Sequence, residues 1–339
     1  MEDPLPLPLL KVGLAYNIKK GNRSEGEDAE AEYDTIDTID AIKVALEESG
    51  CTVQLLEANK DFIHNLEKSK PDIVFNIAEG LGGRGREAHI PAILSFLGIP
   101  YTGSDEITLG IALDKALTKR VLASYGIKTP GYQVISDEKT AISTKLGFPL
   151  IVKPNAEGSS KGIFDTATAE NPEELGKLVA ANLKSYRQPM LVEEFVSGRE
   201  FTVAVVGNGQ DIKVFPPMEV KYKDMGKLRN IYSFDVKKNF RKYIEYECPP
   251  RMDKRKIESM QRVAASVFNV LQCRDFSRVD FRMDDKGMIH FIEINPLPGL
   301  APGYSDFILI ASYNGHGYAE TVRMVLNTAL KRYGMRQLN

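Results

Sequence analysis

The segment from Arg278 to Gly299, RVDFRMDDKGMIHFIEINPLPG, constrains the fold and chemistry of this chain more than any other segment. Two runs of alternating apolar and polar residues flank a turn over residues 284–287, which predicts a β-hairpin. Side chains alternate between the faces of a strand, so pairing Met283 with Met288 gathers the apolar residues on one face. The other face then carries the polar groups of Arg278, Asp280, Arg282, Glu293 and Asn295.

The apolar face of the predicted hairpin consists of Val279, Phe281, Met283, His290, Ile292 and Ile294. In this register Asp280 lies diagonal to Glu293, roughly 7–8 Å away at the backbone. Both carboxylates can reach one ion at that separation, and hard oxygen ligands of this kind suit Mg²⁺. The alternative is an amphipathic hairpin with a solvated polar face, and only the upstream sequence can decide between the two.

Length and composition exclude several classes of protein. The 339 residues suffice for two or three domains, and 43% hydrophobic with 27% charged residues is typical of a globular protein. The net charge of −2 gives no general attraction to nucleic acid or membrane, and no apolar run reaches the length of a membrane span. Three cysteines without metal-type spacing argue against a zinc site. With an acidic, proline-broken start, we expect a cytoplasmic protein that binds neither nucleic acid nor membranes.

Residues 1–103 alternate strand and helix, which predicts a parallel sheet covered by helices. Ligands of such sheets lie beyond the carboxyl ends of the strands, and two loops, 17–34 and 79–87, lie there. The second loop, EGLGGRGRE, carries Arg84, Arg86 and Glu87, whose charges suit the two ends of an amino acid. A flexible surface loop is the alternative interpretation of such a glycine cluster.

The middle of the chain contains a phosphate-loop candidate. Residues 105–126 predict one amphipathic helix that carries Lys115, and a further helix is predicted over 137–147. The buried strand PLIVKP follows, with Lys153 near its end, and leads into the small polar loop NAEGSSKG. Backbone N–H groups of such a loop suit phosphate oxygens, and a nearby lysine adds positive charge. The loop is not a Walker P-loop, so it is weak evidence by itself.

A helix over 172–187 precedes the predicted hairpin MLVEEFVSGREFTVAVVG. Strand backbone with one carboxylate suits an adenine amino group, and a second carboxylate suits ribose hydroxyls. An edge hairpin with solvated acids is the alternative. The basic, aromatic segment 221–242 is either a lid that closes on phosphate or an exposed loop. Helices over 253–272 and 318–332 complete the predicted elements.

Five ordered motifs, DKALTKRVL, VKPNAEGSSKG, VEEFVSGREFTV, RVDFRM and FIEINPLPG, resemble those of the ATP-grasp superfamily, and within it the D-alanine–D-alanine ligase family. The resemblance extends from residue 99 to residue 299. It implies an α/β ATP-grasp fold of three domains, with ATP held between the last two. These would be an N-terminal α/β substrate domain (1–103), a central subdomain with the phosphate loop (104–189) and a C-terminal subdomain with the adenine and metal sites (190–339).

The resemblance also implies roles for individual residues. The ATP phosphates would contact Lys115, Lys153, Lys237 and a mobile loop that contains Glu157, Gly158, Ser159 and Ser160. The adenosine would contact Glu193, Glu194, Phe195, Val196 and Glu200. Two Mg²⁺ ions, which Mn²⁺ can replace, would be bound by Asp280, Glu293 and Asn295. Arg278 and the Gly299 amide would face the reacting carboxyl oxygen, with Ser159 and Lys237 also in catalytic positions, while Tyr304 and Ser305 would lie near the second substrate.

The sequence departs from the family where the amino-acid substrates bind. The loop after the first strand offers Glu30, Glu32 and Asp34 as partners for the first amine, without a unique alignment. The family's histidine is absent from the segment 81–88, and Lys238 replaces a tyrosine. We therefore expect an ATP-dependent carboxylate–amine ligase that acts through an acyl phosphate on small amino-acid-like substrates. Both D-alanine and another pair stay open as substrates.

Two further functions stay open at this stage, because function depends on the site rather than on the fold. One is a non-catalytic, nucleotide-binding regulatory protein, and the other is a kinase that transfers phosphate without forming an amide. The ligase resemblance would place the protein in cell-wall biogenesis, and a homodimer is compatible with it.

Overall fold

The computed structural model describes residues 9–21, 30, 32–158, 167–223 and 243–339. Ser159, Ser160, Lys237 and most of the predicted lid lie outside these ranges. The described chain forms three sheets with helices packed against them. Across these ranges no helix is both long and apolar enough to span a membrane.

The first sheet is parallel, as predicted, with the order β2-β1-β3. Its strands are β1 (Leu10–Tyr16), β2 (Cys51–Glu57) and β3 (Ile73–Asn76), and its helices are α1 (Ile36–Glu48), α2 (Phe62–Ser69) and α3 (His89–Leu97). Val12 and Leu14 of β1 are buried with Ile39 and Ile42 of α1, whose spacing follows the helical repeat. The chain continues from the carboxyl ends of β1 and β3 into the two loops that were expected to bind ligand.

The prediction of a single helix over 105–126 is wrong, because the helix is interrupted at Asp114. The structure contains α4 (Glu106–Leu113) and α5 (Lys115–Ser124) in its place. Asp114 has an extended backbone, and its carboxylate accepts a hydrogen bond from the amide of Leu117 at 2.9 Å. Such N-capping starts a new helix. Lys115 thereby becomes the first residue of α5.

The second sheet is antiparallel, with the order β4-β7-β5-β6. It contains β4 (Tyr132–Ile135), β5 (Leu150–Pro154), β6 (Thr168–Ala169) and β7 (Met190–Glu194), and α6 (Pro172–Tyr186) packs on it. Since β7 pairs with β4 and β5, sheet pairing favours a domain boundary after residue 194 over the predicted 189/190. The three-domain division itself stays a prediction.

The helix predicted over 137–147 is also wrong. The segment is irregular, and its backbone is held by polar side chains. Asp137 accepts from the amide of Lys139, while Gln133 bonds both the Ala141 carbonyl and the Ser143 amide at 2.8 Å. Such side-chain hydrogen bonds to the backbone compete with those of a helix, which explains the failure of the prediction.

The third sheet has the order β11-β10-β8-β12-β13, and β9 also pairs with β8. Its strands are β8 (Arg199–Gly207), β9 (Lys213–Val214), β10 (Met218–Tyr222), β11 (Ile244–Glu247), β12 (Asp275–Met283) and β13 (Ile289–Asn295). Its helices are α7 (Lys254–Val270), α8 (Asp306–Tyr313) and α9 (Tyr318–Arg332). Alternate residues of β8 belong to two different cores, Val203 and Val205 with α7, and Ala204 and Val206 with α8 and α9. Both faces of this sheet are therefore covered.

A buried ion pair connects the N-terminal region to the third sheet. Asp275, which is 0% exposed, accepts from Arg332 of α9 at 2.7 Å and from the amide of Gly103 at 2.8 Å. Arg332 also donates to the carbonyl of Tyr101 at 2.8 Å. One carboxylate therefore fixes the position of α9 and of the chain that leaves the first sheet.

We expect Asp275→Ala to lower the free energy of unfolding by about 3 kcal/mol, because the guanidinium of Arg332 then loses its carboxylate partner. Asp211→Ala is the control, since Asp211 also pairs with a lysine of α9, Lys331, but is 72% exposed. Urea denaturation of both variants checks this. Equal shifts of the two midpoints would contradict the structural role of Asp275.

Candidate functional site

The hairpin of β12 and β13 forms the centre of the site, but its register differs from the predicted one. Asp280 lies directly opposite Glu293, and Arg278 lies opposite Asn295. The pairing shifts between Asp280 and Phe281, so Phe281 faces Phe291 and Met283 faces Ile289. Ile292 is the extra residue of this β-bulge. The predicted diagonal placement of Asp280 and Glu293 was therefore wrong, and the two carboxylates are closer neighbours than expected.

The bulge also changes the apolar face of the hairpin. Phe291 is 1% exposed and packs edge-on against Phe281, with ring centroids 6.5 Å apart. His290 and Ile292, predicted on the core face, are only partly buried, whereas Val279 and Ile294 belong to the core as expected. One inserted residue thus moves an aromatic ring into the core while keeping the polar face intact.

Positive groups surround the two opposed carboxylates. Arg278 makes a bidentate pair with Asp280, at 3.0 and 2.8 Å, and Lys115 Nζ lies 3.5 Å from Glu293 Oε2. Burial acts to raise the pKa of Glu293, but the charges of Lys115, Lys153 and Arg278 lower it to about 2. Glu293 is therefore ionised at neutral pH and is held in a cationic environment.

A second acidic centre lies at Glu193, which is 2% exposed. Its two carboxylate oxygens meet two buried lysines, Lys153 at 3.1 Å and Lys119 at 2.5 Å. Burial acts to lower the pKa of Lys153, yet the charges of Glu193 and Glu293 raise it. The side chain expected to face adenine therefore also fixes a lysine expected to face phosphate.

Lys119 is a residue of the site that the sequence interpretation missed. It is 0% exposed, and burial lowers its pKa to about 8 against the charge of Glu193. Its ammonium also donates to Thr129 at 2.7 Å and to the carbonyl of Ile292 at 3.1 Å, which is the bulged residue. The signal was present in the sequence, because a lysine four residues after Lys115 in a helix lies on the same face.

The hairpin predicted over residues 190–207 is wrong, because β7 and β8 belong to different sheets. Arg282 of β12 contacts the loop that connects these two strands and Glu200 at the start of β8. This guanidinium donates to Val196 O at 2.7 Å, pairs with Glu200 at 2.6 Å and lies 4.8 Å from the centre of the Phe195 ring. Glu200 also accepts from Tyr222 at 2.7 Å. Glu194 differs from these residues, since its carboxylate accepts from the backbone amides of the neighbouring loops at residues 131 and 147.

The loop after β13 brings Gly299 next to Ser305. A Cβ atom at Gly299 would lie 3.0 Å from Ser305 Oγ, which accepts from the amide of Ala301 at 3.0 Å. Asp306 follows at the start of α8, 3.6 Å from Arg278. Gly299, Ser305 and Arg278 therefore belong to one corner of the site, and the partly exposed Tyr304 lies in the same turn.

The N-terminal loop also reaches this site. Arg86 is buried and pairs with Glu32 at 2.5 Å, and it donates to the carbonyl of Ala156 at 2.9 Å. Glu32 in turn accepts from the amide of Gly158 at 2.5 Å. Among the three acidic candidates, Glu32 therefore contacts the phosphate loop. The alternative of a free surface loop does not hold for Arg86.

Two other charged residues of this loop differ in their surroundings. Arg84 pairs with the buried Asp114 at 2.7 Å, although its own side chain is 69% exposed. Glu87, in contrast, is 5% exposed. Ser159, Ser160 and Lys237 fall outside the described residues, so their predicted roles stay predictions.

Comparisons with known proteins agree with this architecture. A solved D-alanine–D-alanine ligase from Bacillus anthracis, complexed with ATP, superposes with a TM-score of 0.74 over 96% of this chain and 99% of that chain. At 21% sequence identity this similarity establishes the fold, which is ATP-grasp.

Sequence comparison establishes the family. The family model described as "D-ala D-ala ligase C-terminus" matches residues 121–327. The D-alanine–D-alanine ligase of Aquifex aeolicus is 34% identical over 277 residues, covering 81% of this chain and 88% of that protein. The uncharacterized protein y4sG of Sinorhizobium fredii is 33% identical over 307 residues, covering 87% and 88% of the two chains. The chain belongs to the D-alanine–D-alanine ligase family.

We expect Glu32→Ala to speed hydrogen exchange of the Gly158 amide by roughly tenfold, because that amide loses its carboxylate acceptor. Exchange measured by NMR or mass spectrometry checks this. Glu173→Ala on α6, whose carboxylate is 79% exposed, is the matched control. Unchanged exchange at Gly158 would show that Glu32 does not hold the loop.

Proposed function

We propose that this protein is an ATP- and Mg²⁺-dependent ligase that joins a carboxylate to an amine through an acyl phosphate, with ADP and phosphate as products. One observation carries the proposal. Two lysines of the central region, Lys115 and Lys153, are held by Glu293 and Glu193 beside the opposed carboxylates of Asp280 and Glu293. Transfer of a phosphoryl group needs alignment and charge neutralisation, which fixed lysines and metal ligands supply.

ATP would bind between the central and C-terminal subdomains. Lys115 and Lys153 would contact its phosphates, with the loop at Glu157 and Gly158 above them, and Ser159, Ser160 and Lys237 would complete the phosphate contacts. The strand segment 193–196 would border the adenine, with Phe195 stacked under Arg282. Glu200, already oriented by Arg282 and Tyr222, would accept from the ribose.

Asp280, Glu293 and Asn295 are suited to hold two Mg²⁺ ions, with Mn²⁺ as a substitute. Two carboxylates on directly opposed strand positions point to the same side, and an amide oxygen follows two residues later. Both carboxylates are partly exposed, at 18% and 28% of their side chains, so a hydrated ion can reach them. Bound Mg²⁺ would neutralise the charge on the phosphate oxygens.

The chain's own residues would then act on the two organic substrates. A carboxylate is a poor acyl donor because oxide would have to leave, and phosphorylation supplies a better leaving group. Attack by the amine produces a tetrahedral oxyanion that needs fixed donors. Arg278 is oriented by Asp280 and Asp306, and the Gly299 amide lies in the adjacent loop, so both suit this role.

The substrates would be small amino-acid-like molecules, either D-alanine or another pair. Arg84, Arg86 and Glu87 would border the first substrate, and Tyr304 and Ser305 the second. A cytoplasmic location, a homodimer and a three-domain division complete the proposal. The domain boundaries would fall after residue 103 and, as the pairing of β7 favours, after residue 194.

The experiment is a screen of paired D- and L-amino acids for ADP release, with mass spectrometry of the products. An amide product with stoichiometric ADP supports the ligase. ADP release with a phosphorylated product and no amide would identify a kinase. Tight ATP binding without turnover in any pair would favour a nucleotide-binding regulator.

We expect Asp280→Asn and Glu293→Gln each to lower kcat by about 10²–10³-fold, because they remove charge from the metal-binding pair. Asp285→Asn is the control, since Asp285 lies in the same hairpin but is exposed in its turn. Circular dichroism establishes that the fold is retained. Wild-type rates in either variant would refute the metal assignment.

We expect Lys119→Met to raise the KM for ATP by about tenfold, corresponding to some 1.4 kcal/mol. With Lys119 gone, Glu193 interacts only with Lys153 and draws its ammonium away from the phosphates. Lys177→Met removes a 76% exposed lysine and is the control. An unchanged KM in steady-state kinetics would argue that Lys119 does not position Lys153.

A further inference from the structure

Thr202 of β8 carries a buried hydroxyl beside the proposed metal ligands. The side chain is 3% exposed, and its Oγ1 atom has no hydrogen-bond partner among the residues that the structure describes. A buried hydroxyl without a partner costs free energy, because water satisfies it in the unfolded chain. Valine has the same shape and would avoid that cost, so folding alone favours valine at this position.

The sheet register places this hydroxyl on the face that carries the site. Thr202 lies directly opposite Asp280 of β12, and Asp280 in turn lies opposite Glu293 of β13. Directly opposed residues of antiparallel strands point to the same side, with Cβ atoms roughly 5 Å apart. The three residues therefore form one row across three strands. On its other side Thr202 lies opposite Met218 of β10, whose side chain offers no oxygen acceptor.

Arg278 engages both carboxylate oxygens of Asp280, at 3.0 and 2.8 Å. A metal ion at Asp280 would need at least one of these oxygens, so the guanidinium competes with the ion for the carboxylate. Asp306 lies 3.6 Å from the third guanidinium nitrogen and would keep Arg278 in place when a bond to Asp280 is lost. Asp280 has no such second partner among its described contacts, and a charge-assisted hydrogen bond is costly to lose without replacement.

We propose that Thr202 is a positioning residue for Asp280, to which its hydroxyl donates when the carboxylate turns from Arg278 to a metal ion. The inference rests on the proposed ligase function, which requires Mg²⁺ at Asp280. Rotation about the Cα–Cβ bond of Thr202 brings Oγ1 toward the opposed carboxylate at this strand spacing. A carboxylate accepts several hydrogen bonds, so it can hold the hydroxyl and an ion together. Such hydrogen bonds fix the orientation of metal ligands.

Ser277 of β12 provides a matched control for this hydroxyl. It is 0% exposed, and its Oγ atom also lacks a hydrogen-bond partner within the described ranges. It points to the opposite face of the same sheet, because it lies opposite Val205, which belongs to the apolar core that α7 covers. A loss caused by disturbing the sheet would appear in variants of both residues, whereas a loss that acts through Asp280 would appear only at Thr202.

The first test measures Mn²⁺ binding to the full-length protein in the presence of ADP, by electron paramagnetic resonance. Thr202→Val should raise the dissociation constant of Mn²⁺ by roughly tenfold, the lower end of the effect of such partners. Thr202→Ser keeps the hydroxyl and should restore the wild-type value, and Ser277→Ala should not change it. An unchanged constant in Thr202→Val, or an equal increase in Ser277→Ala, would overturn the inference.

The exchange of partners at Asp280 predicts opposite effects of two variants on the same measurement. Arg278→Met removes the cation that competes for the carboxylate, so we expect it to lower the dissociation constant of Mn²⁺ by roughly tenfold, whereas Thr202→Val raises it. General damage to the fold would weaken binding in both variants. Weaker or unchanged binding in Arg278→Met would show that the guanidinium does not compete with the ion, and would overturn the inference.

Stability separates this role from a structural one. Because the hydroxyl has no described partner, Thr202→Val should leave the urea midpoint of unfolding unchanged or raise it. A lowered midpoint would show that the hydroxyl already supports the fold, and would overturn the inference. If no substrate pair releases ADP and Thr202→Val still weakens Mn²⁺ binding, the ligase function is refuted while the assignment of Thr202 stands.

Discussion

Opposite charges paired around the buried Glu193 and the partly exposed Glu293 are the interaction on which the rest of this structure depends. Lys119, Lys153 and Lys115 come from two separate elements, α5 and β5, and each meets a carboxylate that comes from another strand. Removing one partner of such a set leaves an uncompensated charge. Correct pairing therefore requires that α5, β5 and the strands that carry Glu193 and Glu293 all occupy their native positions. Apolar residues of similar size would pack without that constraint, so stability alone does not account for these charges.

The charged network also links regions that are far apart in sequence. Lys119 bonds the carbonyl of Ile292, so the bulge in β13 and the helix α5 fix one another. Arg86 and Glu32 bring the N-terminal loop onto the phosphate loop at residues 156–158. A substrate bound at the N-terminal loop, as proposed, would therefore contact the segment that would cover ATP. Binding of the two substrates would then be coupled through a few ion pairs.

The sequence predicted what depends on local periodicity. The parallel sheet, the polar face of the hairpin and the C-terminal helix at Tyr318–Arg332 follow from alternation or helical spacing, and the structure confirms them. It did not predict what depends on a competing local hydrogen bond. Asp114 caps the start of α5 instead of continuing α4. Gln133 bonds to the backbone of the segment 137–147, which forms a loop instead of the predicted helix.

The candidate site shows the same limit of prediction from sequence. The motifs indicate which residues form the site, but they do not indicate which of these residues contact one another. The bulge at Ile292 makes Asp280 and Glu293 direct neighbours, and nothing in the strand pattern marks the position of an inserted residue. The partners of Lys119 and Glu32 arise from packing between distant segments, which periodicity does not contain.

Oxygen isotopes test most directly whether these charges serve the transfer of a phosphoryl group to a carboxylate. The carboxylate substrate is labelled with ¹⁸O, turned over with ATP and an amine, and the phosphate released is examined by mass spectrometry. If the reaction passes through an acyl phosphate, we expect one ¹⁸O atom in the inorganic phosphate for each amide formed. Amide formation with unlabelled phosphate would show that no acyl phosphate is made and would contradict the proposed mechanism.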